Sequence, residues 1–266
     1  MKKIIKDLCP PAILKIKRNI ANYLDSNRII FSGPVDSFFK GENPWLSEGW
    51  INHSKERLNL ADRFNPGVSI QSLSLLINSI LAEREQVSVL DFGGGTGLMY
   101  HVLERITKSS EKMEWIVFDD NEPLMKLGKE YSANNKNIKF IKSINEINKV
   151  DIVYINTSVQ YFDDYKVVFD SILKLSPKHV VLSRLLCAKN ESIITRQKIY
   201  GKISPCKFVN KKELVFYFKD HGFKNSYESK SHEDFTYMMT KEVAKKVDNR
   251  PGWNLVFTKQ DALAYH

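Results

Sequence analysis

With 266 residues, 42% of them apolar and 27% charged, the chain has material for one α/β domain with a small N-terminal appendage, and the lack of repeats or low-complexity runs excludes a solenoid and wholesale disorder. Cys9, Cys187 and Cys206 are odd in number and lack C-x-x-C spacing or a nearby histidine, which excludes a disulfide framework, indicates no metal site and points to the reducing cytoplasm. The formal charge of +9 comes with no zinc-finger spacing, RNA-recognition signature or arginine stripe, so no nucleic-acid partner is expected.

Much of that charge lies in residues 1–20, where Lys2, Lys3, Lys6, Lys15, Lys17 and Arg18 alternate with Ile4, Ile5, Leu8, Ile13, Leu14, Ile16 and Ile20. This composition suits peripheral association with the anionic inner face of a membrane, although Pro10-Pro11 would break one long helix. The apolar runs are too short for a secretory signal or a membrane span, which again predicts a cytoplasmic protein. From Ile29 to Phe64 the chain reads as irregular, with glycines, prolines and the aromatics Phe31, Phe38, Phe39, Trp45 and Trp50, and is expected to act as a lid or docking segment. We therefore divide the chain into an extension over 1–66 and an α/β domain over 67–266.

Helical spacing over Val68–Glu83 is followed by a strand at Val87–Leu90, the glycine run Gly93-Gly94-Gly95-Thr96-Gly97 and a second helix through Leu98, Val102 and Ile106. A strand at Trp115–Phe118 leads to Asp119-Asp120-Asn121, with Asn121 and Pro123 suited to opening a helix. Ile138–Ile141 and Asp151–Ile155 are the next strands, joined by a Ser143–Lys149 stretch with room for one helical turn. Then come a helix marked by Val167, Val168, Ile172 and Leu175, a strand at His179–Ser183, a helix capped by Asn210 and ending near Gly222, and two last strands from Phe223 and at Trp253–Phe257. Seven strands alternating with helices predict a Rossmann-like, mostly parallel sheet covered on both faces. Its ligand crevice lies beyond the strand carboxyl ends, at Asp91 to Gly97, Asp119 to Asn121, Asn156 to Gln160 and just after Leu182.

The glycine register selects among ligands. G-x-G-x-x-G from Gly93 would require glycine where Leu98 stands, and no Walker pattern is present, so a dinucleotide or a triphosphate is a poor match. Bare backbone at the end of a strand, with Asp91 before it and Asp119 at the end of the next strand, suits a nucleoside lacking a pyrophosphate: Asp91 for an ammonium group, Asp119 for ribose hydroxyls.

These residues resemble the first motif of class I S-adenosylmethionine-dependent methyltransferases, D/E-x-G-x-G-x-G, through Asp91, Gly93, Gly95 and Gly97. A narrower resemblance, to a methyltransferase family of bacterial surface-polysaccharide gene clusters, rests on Leu90–Gly97, Trp115–Asp119 and Asp151–Tyr154 followed by Ser158-Val159-Gln160-Tyr161. It implies S-adenosyl-L-methionine as cofactor, held by Asp91, Gly93, Gly94, Gly95, Gly97, Asp119, Asp120, Ser143, Ile144 and Asn156. Its implied acceptor is a sugar or phosphate-linked group of a surface glycan or a lipid-linked glycan precursor. The chain departs from that family in carrying Asp119-Asp120 where one glutamate is usual, which leaves two carboxylates open as the ribose ligand, and in a long Ser231–Arg250 stretch.

Transfer to a hydroxyl calls for alignment, exclusion of water and a base. The catalytic candidates are His53 as base, Tyr161 after the fourth strand and Arg184 after the fifth, the last to hold a phosphate or acidic sugar. Trp45 and Trp50 suit either stacking on sugar rings or anchoring their own segment, and His101 reads as packing. The alternative to an enzyme is a non-catalytic scaffold of this fold in a polysaccharide assembly complex.

Overall fold

The computed structural model describes residues 30–61, 63, 70–107, 110–231 and 236–260. Residues 1–20 and the boundary at 66/67 lie outside them. No helix among the described residues is long and apolar enough to cross a membrane.

The elements in order are β1 (Ile30–Val35), α1 (Glu48–Asn59), α2 (Gln71–Glu83), β2 (Val87–Phe92), α3 (Leu98–Ile106), β3 (Met113–Phe118), α4 (Glu122–Tyr131), β4 (Ile138–Ile141), β5 (Ile152–Asn156), α5 (Tyr165–Leu173), β6 (His179–Ala188), β7 (Ile193–Ile199), β8 (Lys202–Asn210), α6 (Lys211–Asp220), β9 (Phe223–Lys230), α7 (Lys241–Lys246) and β10 (Val247–Lys259). Period-2 alternation divides the central strands between two cores. Val87, Val89, Trp115, Val117, Ile152, Tyr154 and Val181 pack with α2 and α3, whereas Leu90, Ile116, Val153, Ile155, Val180 and Leu182 pack with α5 and α6. Strands buried on both faces need apolar residues at nearly every position, which is why they read as continuous β-branched runs.

Among the described residues ten strands form the sheet, in the order β1-β7-β8-β6-β5-β2-β3-β4, with β10 pairing β6 and β9. The pairs β2–β3, β2–β5, β3–β4 and β5–β6 are parallel, and those of β10 with β6 and β9 are antiparallel. The expectation of seven strands thus holds for one continuous part, β4-β3-β2-β5-β6-β10-β9, but falls short of the whole sheet. β5 stops at Asn156, opposite Ser183, while β6 runs on, and at Cys187 and Ala188 its vacated flank is taken by Val209 and Asn210 of β8. β8, β7 and β1 form an antiparallel addition there, past the carboxyl end of β5.

One further reading needs correction. Over its described residues, 30–61 and 63, the segment read as irregular supplies β1, a 3-10 turn at Pro44–Leu46 and the 12-residue α1, which opens with Ser47 Oγ accepting from Trp50 N at 3.3 Å. The long Ser231–Arg250 stretch holds α7 and the start of β10, and it docks on β1 through Thr240 N donating to Phe31 O at 2.9 Å.

Helix starts follow the residues that were singled out. Asn121 accepts from Leu124 N ahead of α4, with Pro123 in the first turn, and Asn210 accepts from Lys212 N and Glu213 N ahead of α6; such caps are worth about 1 kcal/mol each. At the amino end of the sheet Asp151 locks β5 to β2, accepting from Ser88 N at 2.9 Å, Ser88 Oγ at 3.0 Å and the Arg84 guanidinium. Burial pushes its carboxyl up, but Arg84 and Ser88 together outweigh that and hold it below the usual carboxylate range. The rigid end therefore lies opposite the crevice.

Candidate functional site

At the carboxyl end of β2 the backbone turns through three left-handed glycines, with φ of +73° at Gly93, +55° at Gly95 and +71° at Gly97. The loop is tied to β3 by Gly93 N donating to Phe118 O at 2.7 Å and closed by Gly97 N donating to Gly94 O at 2.9 Å. A Cβ at Gly93 would stand 2.4 Å from Ser158 Oγ, and one at Gly94 would meet the Asp91 carboxylate at 2.5 Å. Side chains are excluded because the end of β5 and Asp91 already occupy that space. Gly97 serves packing, since its Cβ would strike Ile138 Cδ1 at 2.7 Å.

Asp91 is 2% exposed, and Trp115 Nε1 donates to it at 3.3 Å. Burial raises its pKa to about 7, with the Trp115 bond opposing and the Asp119 charge adding to the rise. Asp119 accepts from Gly95 N through Oδ2 and from Asn121 N through Oδ1, each at 2.8 Å, and burial raises its carboxyl above the usual range despite both bonds. Asp120 beside it is exposed. Asn156 ends β5, its Oδ1 accepting from Thr157 Oγ1 at 2.9 Å, and Thr157 is left-handed with φ 62°. The amide of Ser143 donates to Glu146 Oε1 at 2.8 Å and its hydroxyl accepts from Asn145 N, so Ser143 caps the turn at Ile144–Glu146. Its amide is thus engaged by the Glu146 carboxylate. Ile144 packs against the core beside it.

No family model matches the chain, and no curated protein matches it in sequence. Among solved structures, the Burkholderia thailandensis 1,6-didemethyltoxoflavin-N1-methyltransferase, crystallised with 1,6-didemethyltoxoflavin and S-adenosylhomocysteine, is similar at a TM-score of 0.52 and 14% identity, over 86% of this chain and 95% of that one. The fold is that of the S-adenosylmethionine-dependent methyltransferases. Weaker matches include methyltransferases of this kind from Methanosarcina mazei (TM-score 0.48, 14% identity, 68% of this chain and 96% of that one) and Clostridium acetobutylicum (0.47, 13%, 80% and 99%).

On this methyltransferase fold, the segment read as a lid packs over the carboxyl ends through aromatic rings. Trp45 lies edge-on to Tyr161 at 4.8 Å and to Trp50 at 4.9 Å, and its carbonyl accepts from Asn121 Nδ2 at 2.7 Å. Trp50 in turn faces His53 at 5.8 Å and Tyr200 at 6.1 Å. The anchoring reading of Trp45 and Trp50 is thus the one these contacts describe. His53 is half-buried, and burial, then Arg57, hold its pKa below the ordinary histidine value, so the imidazole is neutral at pH 7. Burial drives the Tyr161 hydroxyl far above the tyrosine range, with Gln197, Gln160 and the Arg184 charge opposing. A phenol so shifted stays protonated at neutral pH and can donate a hydrogen bond.

Arg184 sits on a β-bulge. Leu182 pairs with Leu255 and Leu185 with Trp253, which leaves Ser183 and Arg184 facing Asn254 alone. Arg184 is left-handed, with φ 55°, and its N–H donates to Asn254 Oδ1 at 3.1 Å. Such a bulge re-aims a side chain at the cost of local strain. The Arg184 charge acts on the Tyr154 and Tyr161 hydroxyls, which places it at the β5–β6 end of the crevice. His101 packs against Tyr131 and bonds Ser132 Oγ at 2.9 Å, away from the loop. Sequence reasoning missed Asn254, fully buried, and the inner face of β7 and β8.

Proposed function

We propose that the chain is an S-adenosyl-L-methionine-dependent methyltransferase that methylates a hydroxyl of a sugar, or a phosphate-linked group, in a surface glycan or its lipid-linked precursor. The observation that carries the methyl-transfer reading is the left-handed glycine loop set between the buried Asp91 carboxylate and the half-buried Asp119 carboxylate. Asp91 has Trp115 and the Asp119 charge as its neighbours, so a cation beside it relieves both burial and repulsion. The ammonium of a methionine-derived nucleoside meets that demand, beside the left-handed backbone of Gly93 and Gly95. Each Asp119 oxygen spends one lone pair on an amide and retains another for a ribose hydroxyl, with Asp120 adjacent. Asn156 bounds the β5 side.

When bound, the cofactor supplies a methyl group on a positively charged sulfur. The protein's tasks are then to orient the acceptor, exclude water and receive a proton. The aromatic wall of Trp45, Trp50 and Tyr161 suits the second task. Neutral His53 suits the third, and Arg184 suits an acidic sugar or phosphate on the acceptor. The narrower sequence resemblance and the basic residues 1–20, suited to an anionic membrane surface, support the glycan assignment.

Incubation of the protein with methyl-labelled cofactor and glycan or lipid-linked fractions, with the label located by mass spectrometry, should show transfer to a sugar hydroxyl or phosphate-linked group. His53→Gln should slow that transfer by about 10²–10⁴-fold. In the wild type the rate should fall on acidification only below the ordinary histidine pKa, because burial depresses that of His53. A wild-type rate in His53→Gln would remove it from the base role, and no transfer to any fraction would sink the glycan reading.

A further inference from the structure

Basic side chains converge on an open cavity away from the glycine loop. Between the end of β6, the end of β9 and the start of β10 lies a space of about 350 Å³, lined among the described residues by Lys189, Lys230, Asp248 and Arg250. Lys189, Lys230 and Arg250 are exposed and Asp248 is half-buried, so solvent reaches it. An irregularity in β10 builds the cavity. Val247 pairs with Ala188 of β6 and Gly252 with Leu186, which leaves residues 248–251 opposite Cys187 alone. Surplus residues on one strand bend it locally and re-aim its side chains, and this stretch carries Asp248 and Arg250.

Three cations against one carboxylate leave the lining at +2. Lys230 Nζ donates to Asp248 Oδ2 at 3.3 Å and lies 5.2 Å from the Trp253 ring, while Lys189 Nζ donates to Lys245 O at 3.4 Å. Arg250 makes no ion pair among the described residues. The carboxylates nearest in sequence are engaged elsewhere, Glu191 with Lys246 at 3.3 Å and Glu228 with Lys211 at 3.0 Å. An ammonium has three donor hydrogens and a guanidinium five, so donors far outnumber the two oxygens of Asp248. That excess selects the ligand. Another cation is repelled, and a neutral polyol finds one acceptor group for all its hydroxyls. A phosphoryl group, with about −1.5 to −2 of charge at neutral pH and several acceptor oxygens, answers both the charge and the donors, and a guanidinium holds two such oxygens in parallel.

We propose that this cavity is a phosphoryl-group site, in which Arg250 grips two oxygens and Lys189 and Lys230 neutralise the charge. Its place in the fold gives the site a use. β6 is parallel to β5, and β10 runs antiparallel to both β6 and β9, so the end of β6, the start of β10 and the end of β9 share the sheet end at which the glycine loop lies. Lys189 stands five residues beyond Arg184, about 16 Å along an extended strand, which separates this phosphate from any group held at Arg184. Only the source of the phosphate rests on the methyl-transfer reading, under which it is carried by the acceptor at a distance from the methylated position; the binding itself does not.

The test is calorimetric titration of the full chain with pyrophosphate at low ionic strength, beside thermal shift with S-adenosylhomocysteine. The wild type should bind pyrophosphate, and Arg250→Gln should weaken it at least tenfold while keeping the melting temperature within about 2 °C, because the position is exposed. Lys189→Gln should weaken it severalfold. Asp248→Asn, which removes the one opposing charge, should tighten it severalfold. The pair Lys126→Gln, Lys129→Gln on α4, at the β3–β4 side of the sheet, should bind as the wild type does, which separates this site from the overall charge of +9. Glucose 1-phosphate bound more tightly than inorganic phosphate assigns the site to a phosphate carried by an acceptor, and equal or weaker binding assigns it to the free ion; either supports the site. No pyrophosphate bound by the wild type, undiminished binding in Arg250→Gln, weaker binding in Asp248→Asn, or equal weakening by the α4 pair overturns the proposal. An absent S-adenosylhomocysteine shift with pyrophosphate binding intact would sink the methyl-transfer reading instead.

Discussion

Asp91→Asn is expected to weaken S-adenosylhomocysteine binding at pH 8 by at least thirtyfold while raising the melting temperature of the ligand-free protein at that pH. Both effects come from one buried carboxylate. Its folded pKa is about 7, well above the unfolded value near 3.8, so between those limits the native state holds a proton that the unfolded state has lost. The stability this proton contributes is present in full at low pH and is lost as pH rises through 7. At pH 8 the folded chain therefore carries a charge that burial opposes, supported by a single 3.3 Å bond from Trp115. Asparagine removes the charge and the penalty. It also removes the partner of the ligand's ammonium, and losing one member of a buried, hydrogen-bonded charge pair costs about 2–5 kcal/mol. In the wild type, binding should release a proton near neutrality, and affinity should fall toward tenfold per pH unit below 7. Titration calorimetry in two buffers of different ionisation enthalpy measures both. Unaltered affinity in Asp91→Asn would show that this carboxylate faces no cation.

Gly93→Val is expected to abolish the S-adenosylhomocysteine shift and to lower the melting temperature. The position is left-handed, with φ +73°, where a β-branched residue is strained, and its Cβ would stand 2.4 Å from Ser158 Oγ and 2.9 Å from Ser158 Cβ. Strain and overpacking together should cost about 2–5 kcal/mol of stability. Gly93→Ala combined with Ser158→Gly separates the two contributions, because it removes the collision and keeps only the backbone strain. It should recover part of the melting temperature and part of the ligand shift. A full ligand shift in Gly93→Val would mean the nucleoside does not approach this backbone.

The cofactor half was legible because the forces that shape it act locally. β2, β3 and β5 are buried on both faces and so carry unbroken apolar runs, the turns that follow need glycine or a capping asparagine, and Asp91 and Asp119 end their strands where the sheet topology requires a ligand site. The added sheet was not legible. On β7 the inward positions are Ile193, Thr195, Gln197 and Ile199, and on β8 Ile203 is exposed while Ser204 is buried, so the apolar alternation that marks a half-buried strand is broken at the polar face. α1 escaped notice for a related reason: its buried residues are Ser54 and Leu58 alone, too few to make a stripe. The capping role of Ser143 depends on Glu146 reaching back to its amide, a capping-box pairing visible in the sequence as S-x-x-E but read there only as room for a turn. The bulge that aims Arg184 depends on Asn254, 70 residues away along the chain.

A crystal structure of the protein with S-adenosylhomocysteine tests the central claim most directly. The account predicts the nucleoside lying on the backbone of residues 93–95, its ammonium within hydrogen-bond reach of Asp91 and its ribose hydroxyls on Asp119. A nucleoside bound away from that loop would contradict it.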